Sequence, residues 1–483
     1  MTRVLLFATH PYSSNGYSKV AFELAKYISI KPDIDLTYYG FQNFQKNNQH
    51  SKARDLPSNV QVYDAFENEK VKKMGFGFEE VTEFVNMNKP DVVIIYNDMV
   101  VISNIIEQLK KVENRNFKVV IYMDQVYQSQ RREFIARINA DVDFVICFSN
   151  YWEKCVLEQG CTKPTGVLEH GFNPEMHYPV PKQLARLYFG LKNEDFIIIN
   201  ANRNQPRKRL DIMMMAFAEI VYRHLDDPIK LLIATAPNGA WNLLEIYERE
   251  LKNRGVSMEE GMKHIILIDN PQHLTDEAMN FLYNTSDVGI NTAMGEGWGL
   301  CNFEAGGIGI PQIVPGIGGF LDFFDSNSAI MIKPVLKLYT DASLDGCPGC
   351  AEICDYNDFV DAIETYYADD ILRKTHGKNS RRKILSDYKW VDLGEKLYSI
   401  IKDRIIDKCE TVSIEEIEAL SNEVVPVLDT IPEVVVPEVV VPVEIAPIGK
   451  LKKLLKEKRD GRKKKMIDLE SKIDMLSKKF SDA

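Results

Sequence analysis

Runs of uninterrupted Val, Ile and Leu, each about one strand long, recur along the chain. RVLLFA (3–8), DVVIIYN (91–97), KVVIYM (118–123) and DFVICFS (143–149) lie in the first part, DFIIINANRN (195–204) and IKLLIATA (229–236) in the second. A strand that is apolar on both faces must be covered on both faces, the condition met by a parallel sheet between two helical layers. Shorter candidates of the same kind are DLTYYG (35–40), VQVYD (60–64), HIILID (264–269) and SDVGINT (286–292). Between them stand segments with helical apolar spacing, among them Lys19–Ile28, Phe78–Val85, Ile102–Leu109 and Leu210–Ile220. This alternation predicts doubly wound α/β domains, in which ligands gather beyond the carboxyl ends of the strands. With 483 residues there is material for two or three domains, each with its own core.

Charge divides the chain unevenly. The formal net charge is −11, yet residues 450–483 hold 13 Lys/Arg against 6 Asp/Glu, which leaves −18 on the rest. The body is therefore a poor candidate for nucleic-acid binding. Eight cysteines in a chain this long make no dense disulfide framework, and no apolar stretch approaches the ~18–20 residues needed to span a bilayer. These features lead to the expectation of a cytoplasmic protein. Beyond Cys409, PEVVVPEVVVPVE (432–444) reads as an extended linker. Ten Lys/Arg in 450–465, with Leu451, Leu454 and Leu455 on one stripe, suggest a basic helix that docks on an anionic membrane surface or another polyanion, with a mobile solubilising tail as the alternative.

Chemistry concentrates in two stretches. In GEGWGLCNFEAGG (295–307), Glu296 and Glu304 stand eight positions apart and Gly295, Gly297 and Gly299 surround the first. Alternating glycines place Glu296 in a tight loop, while the residues from Leu300 onward suit a helix. An acidic loop beside the free N–H groups of a helix start suits a ligand with hydroxyls at one end and phosphate at the other. The second stretch is Arg203-Asn204-Gln205-Pro206-Arg207-Lys208-Arg209, four cations at the end of a strand. Arginine binds phosphate through two parallel hydrogen bonds and lysine as a point charge, so the run reads as a diphosphate clamp. Arg207 and Arg209 are expected on the solvated side of the turn. The first loop, His10–Ser18, has only Asn15-Gly16 where a dinucleotide site would carry G-x-G-x-x-G, so no nicotinamide cofactor is expected.

The segment NTSDVGINTAMGEGWGLCNFEAGGIGIPQIVPGIGGFLDFF (284–324) resembles the donor-site block of retaining GT-B glycosyltransferases, most closely the large family 4 group. Arg203 and Lys208 match that family's arginine and lysine spacing. The resemblance covers roughly residues 1–405 and is strongest over 195–325. It implies a GT-B-like fold, two doubly wound Rossmann-like domains facing a cleft, followed by a flexible tail. The domains would be 1–178 on the acceptor side and 179–386 binding the nucleotide sugar. A closing helix, 387–408, would return to the first domain, with Trp390, Leu393, Leu397 and Ile401 on its packing face. An acidic and Pro/Val-rich linker (409–449) and the basic tail (450–483) would follow.

By the same resemblance, the function would be transfer of a sugar from a nucleoside diphosphate sugar to an acceptor, with retention and without cofactor or metal. Glu296 would lie against the sugar, Arg203 and Lys208 would neutralise the diphosphate, and Glu304 would take the ribose hydroxyls. Gly16, Gly297, Trp298, Gly299, Leu300, Gly318 and Gly319 complete the donor-binding set, with the Trp298 ring packing beneath the loop. Family members often carry a histidine where Met123-Asp124 stands, which makes Asp124 a candidate for the sugar contact. His170, in LEHGFNP, is a second candidate near the cleft. Cys347, Cys350 and Cys354 would need a fourth ligand to hold zinc, and an insertion loop with ordinary thiols is the favoured reading. Two rival functions remain, a nucleotide-sugar epimerase of the same architecture and a non-catalytic binding or assembly protein.

Overall fold

The computed structural model describes residues 1–44, 54–70, 74–269, 271–341 and 346–406; the linker and basic tail lie outside the described residues. Two parallel sheets account for most of the strands. The first is formed by β1 (Thr2–Thr9), β2 (Ile34–Phe41), β3 (Gln61–Asp64), β4 (Val92–Asp98), β5 (Lys118–Asp124), β6 (Phe144–Cys147) and β7 (Thr165–Val167), in the order β3-β2-β1-β4-β5-β6-β7. The second is formed by β8 (Phe196–Asn200), β9 (Ile229–Ile233), β10 (Ile265–Leu267), β11 (Val288–Ile290), β12 (Gln312–Pro315) and β13 (Ala329–Ile332), in the order β10-β9-β8-β11-β12-β13. Val93, Ile94, Ile95, Val119, Val120 and Ile121 are all buried, as strands covered on both faces must be.

In each sheet the winding direction reverses once, between β1 and β4 and between β8 and β11. Loops that leave the carboxyl ends of strands on either side of such a reversal diverge and leave a crevice. In the second sheet those loops are 201–209 and 291–299, the two chemistry-bearing stretches. The helices that flank these loops or cover the sheets beside them include α1 (Gly16–Ser29), α2 (Asn150–Glu158), α3 (Leu210–Arg223), α4 (Asp276–Asn284), α5 (Leu300–Ile308) and α6 (Trp390–Ser399). Asn15 caps α1 in a reciprocal capping box with Ser18, and the Ser149 side chain caps α2 by accepting from the Trp152 N–H.

The last helix packs on the first. Trp390, Leu393, Leu397 and Ile401 are buried in the core of the first sheet, and Gly394 leaves no room for a side chain beside Tyr27. Lys31 pairs with Glu395, and the Tyr398 hydroxyl donates to Asp33 at 2.8 Å. The expectation of a plain insertion loop at 333–356 is corrected: Leu336–Thr340 (β14) and Gly349–Ile353 (β15) form an antiparallel hairpin. Among the described residues, no helix is long and apolar enough to cross a membrane.

Candidate functional site

The loop from β11 to α5 is held on three sides. The Asn291 carboxamide donates to Asn302 at 2.9 Å and accepts the Ala293 N–H at 2.8 Å, which ties the loop's start to α5. The Trp152 indole donates to the Gly297 carbonyl at 2.7 Å, and Gly319 N–H donates to the Glu296 carbonyl at 3.3 Å. Gly299, with φ 90°, turns the chain into α5 through a conformation that side chains resist. A methyl group at Gly297 would sit 2.1 Å from Asp124 Oδ1. Asp124, at the end of β5, thus faces the glycine loop, and its carboxylate also accepts from the Tyr17 hydroxyl at 2.5 Å.

Glu296 is buried and paired with Lys208, which follows β8 in a short turn, Pro206–Lys208. Thr292 fixes the turn by donating to the carbonyls of Lys208 and Arg209, at 3.1 and 2.9 Å. Burial pushes the Lys208 ammonium below its ordinary pKa, and Glu296 opposes the drop. Asp124 is raised by burial, with Tyr17 and the Arg207 cation pulling it down. Arg207 also acts on Asp98, so it faces the carboxylates of the first domain and is not confined to solvent as expected. Arg209 is spent on Asp211, by two hydrogen bonds of 2.9 and 2.8 Å. Arg203 is exposed at the rim.

Glu304 lies one helical turn into α5 and is saturated with donors. Lys19 of α1 reaches Oε1 at 2.7 Å, His177 Nε2 lies 3.2 Å from the same oxygen, and Tyr283 of α4 donates to Oε2 at 2.9 Å. Burial alone would raise this carboxyl; His177 and Lys19 overcome it and hold Glu304 well below the usual range. Beside it, Arg54 forms a two-point pair with Asp276, both bonds 2.9 Å, and donates to Pro11, Ser13 and Ser18. Lys19 and Arg54 belong to the first sheet's half, Glu304 and Asp276 to the second, so one half-buried and one buried ion pair cross between the halves.

Several expected site residues stand elsewhere. His170 is buried against the Phe148 and Trp298 rings, with neither nitrogen hydrogen-bonded, so its place near the cleft is corrected to the aromatic layer beneath it. Trp298 packs on Phe303, Phe323 and Tyr388, and its side chain is core, as its expected packing beneath the loop required. Gly16 opens α1, where a methyl group would meet the Leu300 side chain at 2.8 Å. Gly318 and Gly319 back directly onto the Glu296 and Gly297 carbonyls, and the N–H groups of Gly316, Ile317 and Gly319 donate to backbone oxygens. Cys354 is buried beside the Ile332 carbonyl, its thiol pushed up to about 12 by burial. Among the described residues, no three His, Cys, Asp or Glu side chains stand together as a metal site. Sequence reasoning missed Lys19, Arg54, His177, Asp276 and Tyr283, which meet only through the fold; the one local sign was a cation on the first helix directly behind the glycine loop.

Solved structures share this two-sheet fold. Sucrose-phosphate synthase from Thermosynechococcus elongatus superposes with a TM-score of 0.63 at 16% identity, over 83% of this chain and 98% of that one. Anabaena Alr3699/HepE, solved in complex with UDP and glucose, gives a TM-score of 0.61 at 13% identity, over 83% and 99%. The fold is GT-B. GT-B folds place two such domains face to face, and here the polar groups of both meet at Asp124, Lys208, Glu296 and Glu304. In sequence, D-inositol 3-phosphate glycosyltransferase from Rhodococcus erythropolis is 25% identical over 154 residues, which is 32% of this chain and 33% of that protein. The chain thus spans about a third of the length of that curated relative, and no protein-family model matches it.

Proposed function

We propose that this chain is a retaining glycosyltransferase that moves a sugar from a nucleoside diphosphate sugar to an acceptor. The observation that carries the reading is the buried Lys208–Glu296 pair, set at the switch point of the second sheet with Glu304 held ionised eight residues on. Departure of a nucleoside diphosphate builds negative charge on its terminal phosphate. Lys208 and Arg203, with Arg207 beside them, supply fixed cations for that charge, the role a divalent ion plays elsewhere. A diphosphate beside Lys208 offsets the burial that lowers the pKa of its ammonium. Glu296 stands against the sugar, and Glu304 exchanges one of its protein donors for ribose hydroxyls. Asp124, backed by Tyr17, faces the same loop from the first domain. The fold of a UDP- and glucose-bound neighbour and the name of the sequence relative support the same class of reaction.

The test is nucleoside diphosphate release from UDP-, GDP- and ADP-sugars, with and without EDTA. Release from one donor that survives EDTA and falls about 10²-fold or more in Glu296→Gln and Arg203→Ala is the expected result. Full activity in both variants, or no binding of any donor, overturns the assignment.

A further inference from the structure

A basin of about 520 Å³ opens between the segment after β5 and the β14–β15 hairpin. Ser129, Gln130, Arg131, Arg132 and Glu133 line it from one side and Tyr339 from the other. The backbone joins these two elements. Cys350 N–H donates to the Gln128 carbonyl at 2.7 Å, and Cys350 lies opposite Tyr339 within the hairpin. At ~4.8 Å between paired strands, the Tyr339 backbone is about 10 Å from Gln128. The hairpin is therefore a wall of this basin and not a detached surface feature.

The lining has a definite chemistry. Arg131 and Arg132 are exposed, and among the described residues neither has a carboxylate within ion-pair distance. Two adjacent guanidinium groups at exposed positions suit one anionic group, phosphate or carboxylate. Glu133 repels a bare anion but accepts hydrogen bonds from hydroxyls. Tyr339 keeps 57% of its surface exposed, a ring face against which the C–H face of a sugar can be buried. A ligand that satisfies all three is a sugar carrying one negative charge.

Position adds a role. Tyr127, two residues before Ser129, lies so close to Gly295 that a methyl group there would come within 2.3 Å of its ring. Two residues of chain span at most ~7 Å, so the basin begins beside the glycine loop that holds Glu296. We infer that this basin binds an anionic sugar, or the anionic sugar end of a longer glycan, as the acceptor, with Tyr339 as its platform. The acceptor role rests on the glycosyl-transfer reading; the binding itself does not.

The test uses the full chain and ligand-observed NMR with glucose 1-phosphate, glucuronic acid, methyl glucoside and inorganic phosphate, each with saturating nucleoside diphosphate to fill the donor cleft. Glucose 1-phosphate or glucuronic acid is expected to bind at least tenfold more tightly than methyl glucoside or phosphate, and the tighter of the two names the anionic group. Arg131→Glu/Arg132→Glu and Tyr339→Ala, all at exposed positions, are each expected to weaken that binding at least tenfold and leave nucleoside diphosphate affinity unchanged. The inference is overturned if neither anionic sugar binds, if nucleoside diphosphate abolishes the binding, if phosphate binds equally well, or if both variants bind as wild type does. Lost basin binding with normal diphosphate release removes this inference alone. Basin binding in a chain that releases no diphosphate removes the transfer reading and the acceptor role with it, and leaves the binding.

Discussion

Lowering the pH from 7.5 to 5 is expected to weaken the fold by about 2 kcal/mol through one residue, His170. Its ring lies among those of Tyr96, Tyr122, Phe148 and Trp298, at centroid distances of 6.2, 5.7, 4.3 and 5.3 Å. Neither nitrogen has a hydrogen-bond partner. Burial in that cage pushes the pKa down to about 3, against ~6.5 in an unfolded chain. Below pH 6.5 the unfolded chain takes up a proton that the native chain refuses. The stabilising difference is therefore whole above 6.5 and disappears as the pH falls towards 3. At ~1.36 kcal/mol per pKa unit the whole window is worth about 5 kcal/mol, of which about 2 falls between pH 7.5 and 5. Urea unfolding of wild type and His170→Phe at both pH values, followed by tryptophan fluorescence, measures it. Wild type should lose about 2 kcal/mol more than the variant on acidification. His10 and His376, also lowered by burial, and His224, which is raised, are common to both proteins and cancel. Equal losses in the two proteins, or an NMR titration placing His170 near 6.5, would refute the reasoning.

Three other perturbations test the frame around the site. Arg54→Met strands the buried Asp276 carboxylate and should cost about 3–5 kcal/mol, whereas Arg54→Met/Asp276→Leu should recover most of it; denaturant midpoints decide between them. Gly297→Ala drives a methyl group into Asp124, so diphosphate release should fall at least tenfold while the melting temperature drops by only a few degrees, an overpacking cost of ~1–3 kcal/mol. Leu397→Ala opens a cavity between α1 and α6 and should cost about 2–5 kcal/mol in unfolding free energy, with donor affinity unaltered.

The strands were legible because each carries its own signal. Val92–Tyr96 and Val119–Tyr122 are apolar at every position, and only a two-sided sheet accommodates that. The glycine loop was legible for a similar reason, since Gly295, Gly297 and Gly299 cannot continue a helix and Leu300 can begin one. Lys19 and Glu304 are separated by 285 residues, and Arg54 and Asp276 by 222, so no local pattern announces either pair. Arg207 was misread because a run of cations usually faces water, and only the approach of Asp124 and Asp98 from the other sheet gives it a second environment. The hairpin was hidden by its composition: Gly349 and Cys350 weaken the strand signal, and pairing with Tyr339 and Thr340 supplies what propensity lacks.

Part of the roof of the first sheet is made long after the sheet itself. α1 ends at Ser29, but the helix that covers it, α6, begins at Trp390 and is synthesised far later. Between residue 178, where the first sheet is already complete, and that helix lie about 210 residues, roughly 10–40 s of synthesis at 5–20 residues per second. Through that interval the α1 surface that meets Leu393 and Leu397 has no cover of its own, so a nascent chain stalled midway would present an adhesive apolar stripe to chaperones. The same geometry decides how the first half can be produced alone: a fragment ending near 178 needs 387–406 returned to it, by fusion or as a separate peptide.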